Sequence, residues 1–135
     1  IGSDQACEHG QAILGKPGNF EHALLQLQSC SGQWVTFHTA LVLYNSALRT
    51  WQSSHDLYRV QFRELDDAEI SAYLQREQPY DCAGSFKAEG LGISLFTAME
   101  GKDFHSLIGL PLISLCTLLR EAGVNPLSAT PSGSP

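Results

Sequence analysis

The sequence predicts an α/β fold: a twisted mixed sheet with helices on its faces and a hairpin extension. Two changes of hydrophobic period carry this reading. Phe20, Ala23, Leu24 and Leu27 recur at helical spacing, whereas from Gln33 onward Val35, Phe37, Thr39, Leu41 and Leu43 alternate with Trp34, Thr36, His38, Ala40 and Val42, as in a strand. Further on, a half-polar strand over residues 57–62 is followed by a second helical stripe of Ile70, Tyr73 and Leu74. Strands and helices that interleave along a chain pack as helices against a sheet.

Each element has its own local reason. Ile1 leading into Gly2-Ser3-Asp4 reads as the end of a buried strand that delivers a carboxylate to the sheet's C-terminal edge. Asn19 is suited to cap the helix that begins at Phe20 and ends at Ser31-Gly32. The strand after it is apolar on both faces, which predicts a central position. Asn45-Ser46 marks a turn, and Arg49 to Trp51 begins an antiparallel return in which Tyr58, Val60 and Phe62 point one way and Arg59, Gln61 and Arg63 the other. Asp66, with Glu69 three residues on, has the spacing of a capping box for a helix ending near Glu77. Leu91 to Met99 reads as another strand and Glu100-Gly101-Lys102-Asp103 as a turn. Pro111 suits the first turn of a last helix, striped by Leu112, Leu115, Cys116 and Leu119 and closed by Gly123.

Composition bounds the function. A chain of 135 residues holds one core, and 43% hydrophobic with 16% charged residues is a globular balance. One domain over residues 1–127 is expected, with a disordered tail, rich in Ser, Pro and Gly, at 128–135. Eight basic against fourteen acidic residues give a net charge of −6, which argues against nucleic-acid polymers and membrane surfaces as partners. Phe104 to Leu119, an apolar run without charges, falls short of the roughly 20 residues of a membrane span. Cys7, Cys30, Cys82 and Cys116 have no Cys-x-x-Cys spacing, so four free thiols and a reducing, cytoplasmic compartment are expected. The five histidines share no zinc-ligand spacing. No Gly-x-Ser-x-Gly, Walker loop or Gly-x-Gly-x-x-Gly is present.

The candidate chemistry lies in short polar clusters. Asp4 is flanked by small residues, and Leu14-Gly15-Lys16-Pro17 combines a flexible glycine, an ammonium and a rigid stop, which suits a lysine aimed at phosphate. Taken alone, Asp4 reads more often as a turn or cap residue and Lys16 as a solvated charge. In Cys82 to Gly90, small residues bracket Lys87 and Glu89, which in an extended segment project to one face, toward a ligand or toward water. Thr36 and Thr39 bring hydroxyls into the central strand, a place where threonine is also simply a good β-former.

The order of these motifs resembles the Maf family of nucleoside triphosphate pyrophosphatases. The resemblance rests on Gly2-Ser3-Asp4-Gln5, Gly15-Lys16-Pro17, Ser31-Gly32 before Val35-Thr36-Phe37-His38-Thr39, Cys82-Ala83-Gly84-Ser85-Phe86-Lys87-Ala88-Glu89-Gly90, and Ile108-Gly109-Leu110-Pro111-Leu112. It covers Ile1 to about Leu127, and the Ser-Phe-Lys-Ala-Glu-Gly version looks like the branch acting on 7-methyl-GTP. Ala40 departs from the glycine usual after the threonine. The resemblance implies hydrolysis between the α and β phosphates, with Asp4, Lys16 and Glu89 as catalytic residues, Lys87, Thr36 and Thr39 as substrate-binding residues, and Asp4 as ligand to a divalent cation, expected to be Mg²⁺. Trp34 and Phe86 are candidates to face a methylated, cationic base. Members of the family begin with a further strand, a Ser/Arg-rich phosphate loop and another acidic residue, so a chain that opens on Ile1-Gly2 reads as N-terminally truncated, with a homodimer possible through an unpaired strand edge. The alternatives are a dTTP or UTP pyrophosphatase of the same family, or a catalytically silent fragment serving as a binding or interaction module.

Overall fold

The computed structural model describes residues 1–128; the expected tail lies almost wholly outside the described residues. The elements run β1 (Gly2–His9), β2 (Ala12–Leu14), α1 (Phe20–Cys30), β3 (Trp34–Asn45), β4 (Thr50–Phe62), α2 (Asp67–Glu77), 3₁₀ turns at Ala83–Ser85 and Leu91–Leu95, β5 (Phe96–Gly101), α3 (Phe104–Ile108) and α4 (Leu112–Glu121). The α/β class, with helices packed on a sheet, is as expected. The mixed pairing is not: the sheet has the order β2-β1-β3-β4-β5, and each of its pairings is antiparallel. Hairpin-length connections impose this between β1 and β2 and between β3 and β4, since parallel neighbours need a long crossover.

β3 lies in the middle of the sheet, yet only one of its faces is covered by the described residues. Val35, Phe37, Thr39 and Leu41 are buried and stand opposite Val60, Tyr58, Asp56 and Ser54 of β4 on the helix-covered side. Trp34, Thr36, His38, Ala40, Val42 and Tyr44 occupy the other side, where Val42 and Tyr44 are exposed. Polar side chains satisfy one another there. His38 Nε2 meets Glu8 Oε1 at 2.9 Å, its Nδ1 meets His55 Nε2 at 3.1 Å, and Arg59 lies 4.5 Å over the Trp34 ring.

The core centres on aromatic edges. Phe86 makes T-shaped contacts with Phe37, Phe62 and Phe96 at centroid distances of 5.3, 5.6 and 5.0 Å. Such pairs add about 0.5–1.5 kcal/mol each beyond the burial of their area. α1 contributes Ala23, Leu27 and Cys30 to the same cluster, and α2 contributes Ile70, Tyr73 and Leu74. All four cysteines are free; burial pushes the Cys30 thiol up to about 11 and the Cys7 thiol further, so both pack as small hydrophobes.

The helix ends follow the side chains that the sequence supplies. Asn19 accepts from the His22 N–H, and Asp66 with Glu69 forms the full capping box of α2. Two expectations in the second half do not hold. Residues 91–95 are a 3₁₀ turn, with β5 beginning at Phe96 and running through Gly101, and an unforeseen short helix, α3, follows. Gly92 explains the turn: a Cβ there would lie 2.3 Å from the Lys87 carbonyl, which receives the N–H groups of both Gly90 and Gly92. Asp103 explains the helix. Its Oδ1 accepts from the His105 backbone N–H and ring Nδ1, and its Oδ2 accepts from the Ile113 N–H, so one buried carboxylate caps α3 and the first turn of α4.

Two stability predictions follow from these caps. Asp66→Ala removes the capping box and should lower unfolding free energy by about 1 kcal/mol in a denaturant titration. Burial acts to raise the Asp103 carboxyl, but the hydrogen bonds from Ile113 and His105 outweigh it and hold the group below its ordinary value of 3.8. Its stabilisation is therefore complete above that value and is lost as the pH falls through the lowered folded-state value, because the unfolded chain binds the proton first. Denaturant midpoints measured against pH should fall in that acid window for the parent protein, and less steeply for Asp103→Asn.

Candidate functional site

A cavity of about 340 Å³ opens where β1, the Lys16 loop, the segment after α2 and the end of α3 meet. Asp4, Lys16, Lys87 and Glu89 all line it, joined by Asp81, Cys82, Phe86 and the Leu107–Gly109 wall. Four residues singled out from the sequence thus share one space.

Asp4 arrives differently from expectation. Ile1 is exposed, and Asp4 lies within β1, paired with Ala40, where a strand-end loop was expected. The run Gly2-Ser3-Asp4 has turn composition, but its long pairing with β3 holds it extended. β2 pairs only with Cys7, Glu8 and His9, so no described strand covers the outer edge of Gly2 to Ala6, and Asp4 stands exposed at the cavity rim. One carboxylate oxygen accepts the Gln5 N–H at 2.9 Å. Ser3 and Gln5, on the helix side of the strand, hold the opposite wall. Ser3 Oγ donates to the Gly109 carbonyl, and Gln5 Nε2 lies 2.9 Å from each of the Ser106 and Leu107 carbonyls.

Lys16 is exposed after β2, with buried Pro17 beside it. The segment that carries Lys87 and Glu89 is not extended. It runs from a 3₁₀ turn at Ala83–Ser85 into a tight turn over residues 88–90. Gly84 and Ser85 both take left-handed φ values of 78° and 67°, and a Cβ on Gly84 would stand 3.1 Å from Cys7 Sγ and 3.3 Å from the Phe37 ring. Glycine is needed there for close approach as well as conformation. The Lys87 N–H donates to Tyr73 Oη at 2.8 Å. Burial pushes the Tyr73 phenol up, so this oxygen stays protonated as it accepts.

Three sequence candidates lie elsewhere. Thr36 is on the far side of the sheet, between Glu8 and Arg59 in register. Thr39 is fully buried behind α3, where its hydroxyl donates to the Ser106 carbonyl at 2.7 Å and lies 3.3 Å from Gln5 Nε2. Trp34 stacks under Arg59, while Phe37 and Phe86 are the aromatic rings that line the cavity. Arg63 meets Glu69 at 3.0 Å and the Ser94 carbonyl at 2.9 Å, away from the cavity. Asp81, Cys82 and the α3 wall had gone unassigned. Their signal was position: Asp81 immediately precedes the motif of Lys87 and Glu89, and Ile108-Gly109 opens another of the motifs.

The charge balance of the cavity is two ammonium groups, Lys16 and Lys87, against three carboxylates, Asp4, Asp81 and Glu89. A polyanion entering it would meet repulsion as well as attraction, which a divalent cation offsets. The oxygen donors suit a hard ion. Among the described residues no group of three His, Cys, Asp or Glu is placed to hold one unaided. No helix among the described residues is long and apolar enough to cross a membrane.

A family model described as Maf-like protein matches residues 1–122. The chain therefore belongs to the Maf family, whose members are in general nucleotide pyrophosphatases.

Proposed function

We propose that the protein hydrolyses a nucleoside triphosphate to the monophosphate and pyrophosphate, with 7-methyl-GTP as its substrate. The observation that supports this most is the meeting of Asp4, Lys16, Lys87 and Glu89 in one cavity, although they are far apart in sequence. A water oxygen adds to the α phosphorus, its proton passes to the Asp4 carboxylate, and the bridging oxygen leaves with the β and γ phosphates. Lys16 donates to phosphate oxygens on which charge builds, and Lys87 does the same from the facing loop. Enzymes of this family generally use divalent metal ions. Asp4, with Glu89 or Asp81, would hold such an ion, which supplies charge neutralisation of the phosphates when bound.

The preference for a methylated base rests on resemblance to one branch and on charge. A guanine methylated at N7 is cationic, and a carboxylate such as Glu89 or an aromatic edge such as Phe86 would favour it over neutral guanine. Thr36 and Thr39 are not part of this proposal, given their places on the far face and behind α3.

Pyrophosphate release with Mg²⁺ from 7-methyl-GTP, GTP, dTTP and UTP tests the reading. The methylated nucleotide should turn over fastest. Lys16→Ala should lower kcat by about 100-fold or more, the usual loss for one preorganised donor, and Asp4→Asn should lower it at least as far. Faster turnover of dTTP or UTP would transfer the specificity to those substrates, and no pyrophosphate from any of the four would sink the proposal.

A further inference from the structure

The two lysines of the cavity arrive on separate loops, and one amide side chain touches both loops. Gln26 lies half-buried on α1. Its Nε2 donates to the Gly15 carbonyl at 3.0 Å, and its Oε1 accepts from Ser85 Oγ. Gly15 directly precedes Lys16, and Ser85 stands two residues before Lys87. One helical turn earlier, His22 Nδ1 meets the Pro17 carbonyl at 3.1 Å. The carbonyls on both sides of Lys16 are thus held by side chains four residues apart on one face of α1.

A carboxamide fits both ends of the bridge. A backbone carbonyl only accepts, so the Gln26 nitrogen must face Gly15, which leaves its oxygen for the Ser85 hydroxyl. Glutamate could serve the second contact and not the first. Ser85 is fully buried and is held at a φ of 67°, a conformation that needs fixed surroundings in a residue other than glycine. Elsewhere the two loops are joined by the Gly18 N–H donating to the Tyr80 carbonyl at 2.8 Å. An ammonium on a flexible stem is placed by its backbone. The separation of Lys16 from Lys87 and Glu89 therefore depends on what ties their backbones together.

We propose that Gln26 is a positioning residue that sets the spacing between the Lys16 loop and the Lys87–Glu89 turn; its catalytic consequence rests on the pyrophosphatase reading of the cavity. Such spacing decides turnover, because phosphates gripped from both sides react only when both grips are in register.

The test is amide hydrogen exchange and steady-state kinetics on the full chain with Gln26→Leu and Gln26→Glu. Gln26→Leu should speed exchange of the Gly18, Ser85 and Lys87 amides by about tenfold or more, while Ala23 within α1 keeps its protection. Gln26→Glu, which retains the acceptor for Ser85, should loosen Gly18 and leave Ser85 and Lys87 protected. In kinetics, Gln26→Leu should lower kcat by about tenfold with KM changed less than about twofold, and the retained Ala23 protection shows that the loss is not a smaller fraction of folded enzyme. Protection unchanged in either loop of Gln26→Leu overturns the proposal, as does faster exchange accompanied by parental kcat and KM. If the parent protein releases no pyrophosphate from any triphosphate, the functional reading fails, and the exchange experiment still decides whether Gln26 couples the loops.

Discussion

The Phe86 ring is the contact on which both core and cavity depend. It lies within about 5–6 Å of Phe37, Phe62 and Phe96, each presented edge-on, so the segment after α2 is locked to β3, β4 and β5 at one point. The same ring lines the cavity, next to Lys87. Packing at native density leaves little freedom for such a residue, so the turn that carries Lys87 and Glu89 inherits the rigidity of the core. Gly84 makes this possible, since a side chain there would displace either Cys7 or Phe37.

β1 performs a second joining role through its period of two. Ser3 and Gln5 face the helices and hold α3 by its carbonyls, while Asp4 between them stands at the uncovered edge. Gln5 also meets the buried Thr39, whose own hydroxyl is given to Ser106. The wall of the cavity and its rim carboxylate therefore move with one strand. Asp103 closes the arrangement from the other side, since α3 and α4 both begin on its oxygens.

The electrostatics of the cavity bear on how an acidic protein would take the proposed acidic ligand. A net charge of −6 gives no long-range attraction for phosphate, and the cavity itself holds more carboxylates than ammonium groups. Under the proposed function, recognition is local, through two lysines placed by loops and carboxylates suited to a hard cation. Placement matters more than charge count here. That is why the ties of Gln26 to Gly15 and Ser85 bear on function, although that side chain carries no charge.

Local chemistry made much of this legible in the sequence. The caps at Asn19 and Asp66, the helices they start, the β3–β4 hairpin with Tyr58, Val60 and Phe62 on one side, and the polar clusters around Asp4, Lys16, Lys87 and Glu89 all follow from spacing within a few residues. Other features depend on partners distant in the chain. Asp4 sits in a strand because Ala40 pairs with it, residues 91–95 turn because Gly92 must pass the Lys87 carbonyl, and α3 exists because Asp103 is buried against it. Thr36 and Thr39 show the limit most plainly. Alternation along β3 separates them onto opposite faces, but which face looks toward a ligand is set by where the helices pack. By itself the sequence determined the capped helices, the β3–β4 hairpin and the candidate chemistry, because caps, periods and turns are local. The tertiary structure alone decided which of those residues share a cavity, because that depends on register and packing between segments far apart in the chain.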